Sequence, residues 1–235
     1  MAQVHRKNSR DGIRHLKRVL EFDQDDVDAL LWLAILLALT GKTAEARLYG
    51  DRLVKIDPLT PFNYAILSQA PYYEGKFSEA ESAAKKAMEL DPENSMLRAW
   101  YFLLISTIWE KKRVFAFYEE SIKEFEKSFF TNLAIFLMCA LKGDMASAKE
   151  VLTEEFKNAV RNDLQYSVFV ADGFALLNQK KEAIDWLANA VTREFINYPF
   201  LSKHDPFLRN LDGEEEFQQL LAKVKKKWEL FMGSK

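Results

Sequence analysis

The chain is poor in residues that staple, bind metals or catalyse. It holds one cysteine among 235 residues, so neither an intrachain disulfide nor a thiolate zinc site can be built from it. That residue, Cys139, lies in the apolar run Leu133 to Leu141 and is expected to be a buried, inert thiol. The three histidines, His5, His15 and His204, are too scattered to suggest a metal site. There is no glycine-rich phosphate loop, no His-Glu-x-x-His pair, no nucleophile elbow and no kinase signature. His204 beside Asp205 is the nearest approach to a base with its orienting partner, but adjacent residues on a chain point in different directions. The expectation is a protein that is not an enzyme, with no catalytic residue, no cofactor and no metal.

A surplus of charge of one sign is also lacking. The 33 Lys and Arg are balanced by 35 Asp and Glu, a net charge of −2, whereas a protein that neutralises many phosphates carries a basic excess. No nucleic-acid partner is expected. The longest uninterrupted apolar run, Ala29 to Leu39, falls short of the roughly 20 residues that span a bilayer. It reads as a helix buried on most sides, and no membrane partner is expected. The basic N-terminus has no apolar core followed by a small-residue cleavage site, so a cytoplasmic location is expected.

What the chain does contain is a repeat. In Val27 to Thr60, Ala34, Gly41, Ala46, Gly50 and the pair Asp57-Pro58 stand 34 residues before Ser68, Gly75, Ala80, Ala84 and Asp91-Pro92 of Pro61 to Asn94. Gly41 and Gly75 suit a left-handed helix end. Ala46 and Gly50 are small at i and i+4, which lets a first helix approach the second closely. The Asp-Pro pairs stop the second helix, because proline neither extends the hydrogen-bond ladder nor favours a helical residue before it. Thr60-Pro61 reads as a cap and first helical residue, and Ser78 with Glu81 as a capping box. Pro71 is placed inside a first helix, where a kink is expected beside Gln69, Tyr72 and Tyr73.

Further along, Ser95 to about Ser128 keeps the period and loses the small residues, with Trp100, Tyr101, Phe102, Trp109, Phe115, Phe117 and Tyr118 crowding it. The pattern returns with Gly143 and Ala148, then with Ala171, Asn178, Ala183, Leu187 and Ala190. A 34-residue period is that of a helix-turn-helix solenoid unit, and the offsets resemble the tetratricopeptide repeat family. The tail from Asn197 to Leu221 is not a repeat; it resembles the closing segment of tetratricopeptide arrays at the C-termini of bacterial multidomain signalling proteins. The leading helix lacks a first helix, so either it is a natural cap or the chain is the C-terminal regulatory part of such a larger protein.

The resemblance implies an all-α fold, a right-handed α-solenoid of antiparallel helix hairpins with a C-terminal capping helix. One domain is expected over 1–235, with a leading half repeat at 8–22, about five hairpins over 27–195 and a capping segment over 196–235. Trp228 and Phe231 are expected to pin the last helix. It also implies a non-catalytic module that binds a protein, peptide or helix on a concave face lined by the first helices. The residues placed there are Asp28, Leu31, Ile35, Phe62, Ala65, Gln69, Tyr72, Tyr73, Leu133, Leu137, Val168 and Asp172. Leu31, Ile35 and Ala65 are not the lysine, asparagine or arginine of the family's carboxylate clamp, so an apolar peptide or amphipathic helix is expected. An apolar residue at these positions can equally be core. The alternative reading is a homodimer, formed when the aromatic-rich third repeat buries against its own copy.

Overall fold

The computed structural model describes residues 9–122 and 128–233. Every regular element among them is helical, and the order is α1 (Ser9–Phe22), α2 (Val27–Leu39), α3 (Thr43–Ile56), α4 (Pro61–Tyr73), α5 (Phe77–Leu90), α6 (Ser95–Ile105) and α7 (Lys111–Ser121). There follow α8 (Phe129–Lys142), α9 (Met145–Val151), α10 (Glu154–Arg161), α11 (Leu164–Leu176), α12 (Lys180–Thr192), a π-helical segment Phe200–His204, a 3-10 turn Arg209–Leu211 and α13 (Glu215–Met232). Asn8, the expected start of the leading helix, lies outside the described residues.

The residues fall into two compact units. Unit 1 comprises residues 1–91, 196–204 and 223–235, and contains the hairpins α2/α3 and α4/α5. Its centre is Leu30, Ala34, Leu53 and Ile66, from three of those helices. Gly50 makes the close approach between α3 and α4, since a Cβ there would lie 3.2 Å from the Leu67 Cα. Unit 2 comprises residues 92–195 and 205–222, with α6/α7, α8 followed by the shorter pair α9 and α10, and α11/α12. Gly173 on α11 leaves the room that the Phe136 ring fills.

Four of the hairpins turn in the same way. Gly41, Gly75, Gly143 and Asn178 have φ of 84°, 73°, 74° and 58°. Their N–H groups donate to the carbonyls of Ala38, Tyr72, Ala140 and Ala175, three residues back. The following residues, Lys42, Lys76, Asp144 and Gln179, donate five residues back, to Leu37, Pro71, Cys139 and Phe174. This paired closure satisfies the carbonyls that a helix end leaves open. The third hairpin does without it. Ser106 Oγ and Thr107 Oγ1 donate back to the Phe102 and Leu104 carbonyls, and α6 ends on its own hydroxyls.

Two local expectations need correction. Ser78 does not precede its helix; α5 starts at Phe77 after Lys76, which offers no side-chain cap. The second helix after Gly143 is broken, because Thr153 leaves helical geometry and its hydroxyl accepts from the Phe156 N–H to begin α10. Pro71 lies inside the first helix α4 as expected, in its last turn, two residues before the end.

At Gly143 an added Cβ meets nothing within 4 Å, whereas at Gly41 it would lie 2.8 Å from Trp228 Nε1 and 3.2 Å from Asn197 Oδ1. Gly143→Ala should therefore cost only the left-handed strain, about 1 kcal/mol. Gly41→Ala should cost at least twice that, because two packed side chains must move as well. Urea unfolding of the two variants against the parent checks the ranking.

Candidate functional site

The face set by Asp28, Leu31 and Ile35 on α2 follows the i, i+3, i+7 spacing of one helical stripe, and so do Phe62, Ala65 and Gln69 on α4. In unit 1, Leu31, Ile35 and Phe62 are half-buried and pack over the Leu30, Ala34, Leu53 and Ile66 cluster. They share that support with Leu20 and Tyr49. Asp28 is exposed and Ala65 is buried. Gln69 is half-buried, and its Oε1 is shut off from solvent with no donor among the described residues. Leu31, Ile35 and Phe62 are thus the half-open apolar residues of these two stripes, with Asp28 exposed.

Tyr72 and Tyr73 are placed differently. Both rings are fully buried in unit 1, and the partner that covers them is Phe200 of the same chain. Its ring centroid lies 5.1 Å from that of Tyr72 and 4.9 Å from that of Tyr73, the second pair edge to face at 88°. Asn197 fastens the segment, its Nδ2 donating to the Ala38 carbonyl at 2.9 Å while its Oδ1 accepts from the Phe200 N–H. His204 lies against Gly75, where a Cβ would come within 2.7 Å of Nδ1. Trp228 stacks near Tyr198 at 6.0 Å, and Phe231 faces Arg10 and Lys42 at 5.6 and 5.2 Å. The expected contact cluster of Tyr72 and Tyr73 is thus occupied by the chain's own tail.

In unit 2, Leu133, Leu137, Val168 and Asp172 are all buried. Asp172 on α11 faces Asp205 of the tail. Burial first, then the neighbouring Asp205 carboxyl, pushes Asp172 well above the usual carboxylate range. Asp205 is pushed up by burial to about 6, against the pull of the Phe207 N–H. Asn210 Nδ2 donates to the Ala175 carbonyl at 2.6 Å. Ala38 and Ala175 each stand three residues before the left-handed residue of a turn, so the two tail asparagines bind equivalent carbonyls, one in each unit. No sequence signal marked this, because asparagine is a common loop residue.

The third-repeat aromatics mostly pack on one another. Tyr101, Phe102 and Tyr118 are buried, and Trp109 and Phe117 stand at 6.1 and 5.2 Å from Tyr101, with the Arg113 guanidinium 3.5 Å over the Trp109 ring. Cys139 is buried, and burial raises its thiol. Among the described residues no group of three or more His, Cys, Asp or Glu could hold a metal ion, and no helix is long and apolar enough to cross a membrane.

Residues 2–61 match a family model described as tetratricopeptide repeat. That stretch carries the tetratricopeptide pattern. No curated protein matches it in sequence. Among solved structures, the Cut9 and Hcn1 hetero-tetramer of the APC/C superposes with a TM-score of 0.57 at 14% identity, over 89% of this chain and 45% of that one. The chain thus spans less than half the length of that protein, and the likeness shows the fold alone. YrrB, titled a TPR protein with an unusual peptide-binding site, gives 0.44 at 14% identity over 90% of this chain and 97% of its own. A thermophilic TPR protein of Thermus thermophilus gives 0.45 at 18% identity over 93% of this chain and 91% of its own. Tetratricopeptide repeats are in general non-catalytic scaffolds for protein interaction. His204 lies on Gly75, and Asp205 faces Asp172.

Removing the Phe200 ring should leave a cavity over Tyr72 and Tyr73. The Phe200→Ala variant is expected to lose about 3–5 kcal/mol of unfolding free energy, read by chemical denaturation.

Proposed function

We propose that the stretch of α2 and α4 left open by the tail binds a protein partner through an apolar peptide or amphipathic helix. The observation that carries this reading is the trio Leu31, Ile35 and Phe62, supported from below by a fixed core and half open above. Rigid apolar side chains spaced along two first helices suit the i, i+3, i+4 anchors of a partner helix. Asp28 at the edge favours a basic residue beside the anchors.

Panning the full chain against a displayed library of linear and helical peptides tests this. The expected result is enrichment of apolar peptides with helical spacing, bound about tenfold or more weakly by Leu31→Ala and by Phe62→Ala variants whose circular dichroism is unchanged. Equal affinity in parent and variants would remove this surface from consideration.

A further inference from the structure

Asp172 and Asp205 form a buried acidic pair that the binding surface on α2 and α4 does not use. Both side chains are shut off from water, at 0% and 1% exposure. Asp205 Oδ1 accepts from the Phe207 N–H at 3.0 Å, but its Oδ2 and both oxygens of Asp172 receive no N–H among the described residues. Ionisable groups on the elements packed against α11 are engaged elsewhere: Lys142 of α8 with Glu119, Arg161 of α10 over Trp186, and Lys180 of α12 with Glu214. Lys181, Glu182 and Asp185 of α12 and Glu155 of α10 are exposed, Lys157 of α10 pairs with Glu154, Tyr166 of α11 packs on Phe129, and His204 lies on Gly75. Arg209, at the surface, is the one base among the described residues that acts on the pair, and it acts on Asp205.

Two carboxylates in contact without a buried counter-charge cannot both ionise in such a place. One proton held between them turns repulsion into a hydrogen bond. We propose that Asp172 and Asp205 are a proton-operated latch, which fastens the tail segment Asp205–Leu211 to α11 while one proton is shared and releases it when that proton is lost. The latch sits where release has an effect, since Phe207, Leu208 and Leu211 are buried in the same unit and Asn210 holds the end of α11. Release uncovers Asp172 and the last turn of α11, so the first-helix face of unit 2 becomes accessible only as the pH rises.

The sign follows from linkage. The folded state keeps the Asp172 proton in a range where the unfolded chain has lost it, so the stability of the latched segment falls as pH rises through the raised value. Hydrogen exchange on the full chain, corrected for the intrinsic pH dependence of exchange, reads this directly. Amides 207–211 should lose protection by about tenfold per pH unit once the shared proton titrates, the slope of one proton, while amides 29–39 hold theirs. In Asp172→Asn, whose amide donates to Asp205 with no titration, that loss should vanish. Parallel profiles in parent and variant, or an even loss across the chain, would overturn the latch. Should the variant not fold, the parent alone decides the matter by infrared spectroscopy. A protonated-carboxyl band present at neutral pH and fading in step with protection supports the latch, and absence of that band at neutral pH refutes it.

Discussion

The structure depends on how its first helices end. A helix leaves its last carbonyls without partners, and here four first helices close them by one device, a left-handed residue followed by a residue whose N–H reaches back five positions. The device also aims the chain, for the second helix starts at the very next residue and runs back along the first. Hairpin geometry therefore rests on a single backbone angle in each of these repeats. Small residues at the crossing points, such as Gly50 against Leu67, then decide how closely neighbouring helices approach.

The same helix ends receive the tail. A carbonyl at a closing turn has a second lone pair after accepting its own chain's N–H, and asparagine brings a donor on a short, stiff stem. Asn197 at Ala38 and Asn210 at Ala175 use it in the same way. Aromatic and aliphatic burial follows, with Phe200 between two tyrosines in unit 1 and Leu208 and Leu211 enclosed in unit 2. The tail thereby contributes core residues to each unit, and the ligand surface left to unit 1 is the part it does not reach.

Polar groups inside the molecule separate into those that hold the fold and those that do not complete their bonding. Thr40 and Ser68 donate back into their own helices, and Ser167 donates to the Val160 carbonyl of α10 and to the Asp163 carbonyl just before α11. Gln69 Oε1 and the Asp172 carboxyl are different, being enclosed and without N–H donors among the described residues. Such groups cost stability when left alone.

The period of 34, the left-handed residues and the Asp-Pro stops were legible in the sequence because each answers a local backbone requirement within a few residues of itself. The all-helical hairpins follow from those signals, and a helix stands at Ser9–Phe22 where a leading half repeat is expected. The site was legible only in part. Leu31, Ile35 and Phe62 stay half open while Ala65, Leu133, Leu137 and Val168 are core, and the same apolar residue type at the same repeat position serves both ends. What separates them is how neighbouring helices pack and where the tail lies. Tyr72 and Tyr73 are buried because Phe200, more than a hundred positions away in the chain, comes to rest on them. Asp172 meets Asp205 for the same reason, since contact across such separation depends on the packed tertiary structure and leaves no mark in local pattern.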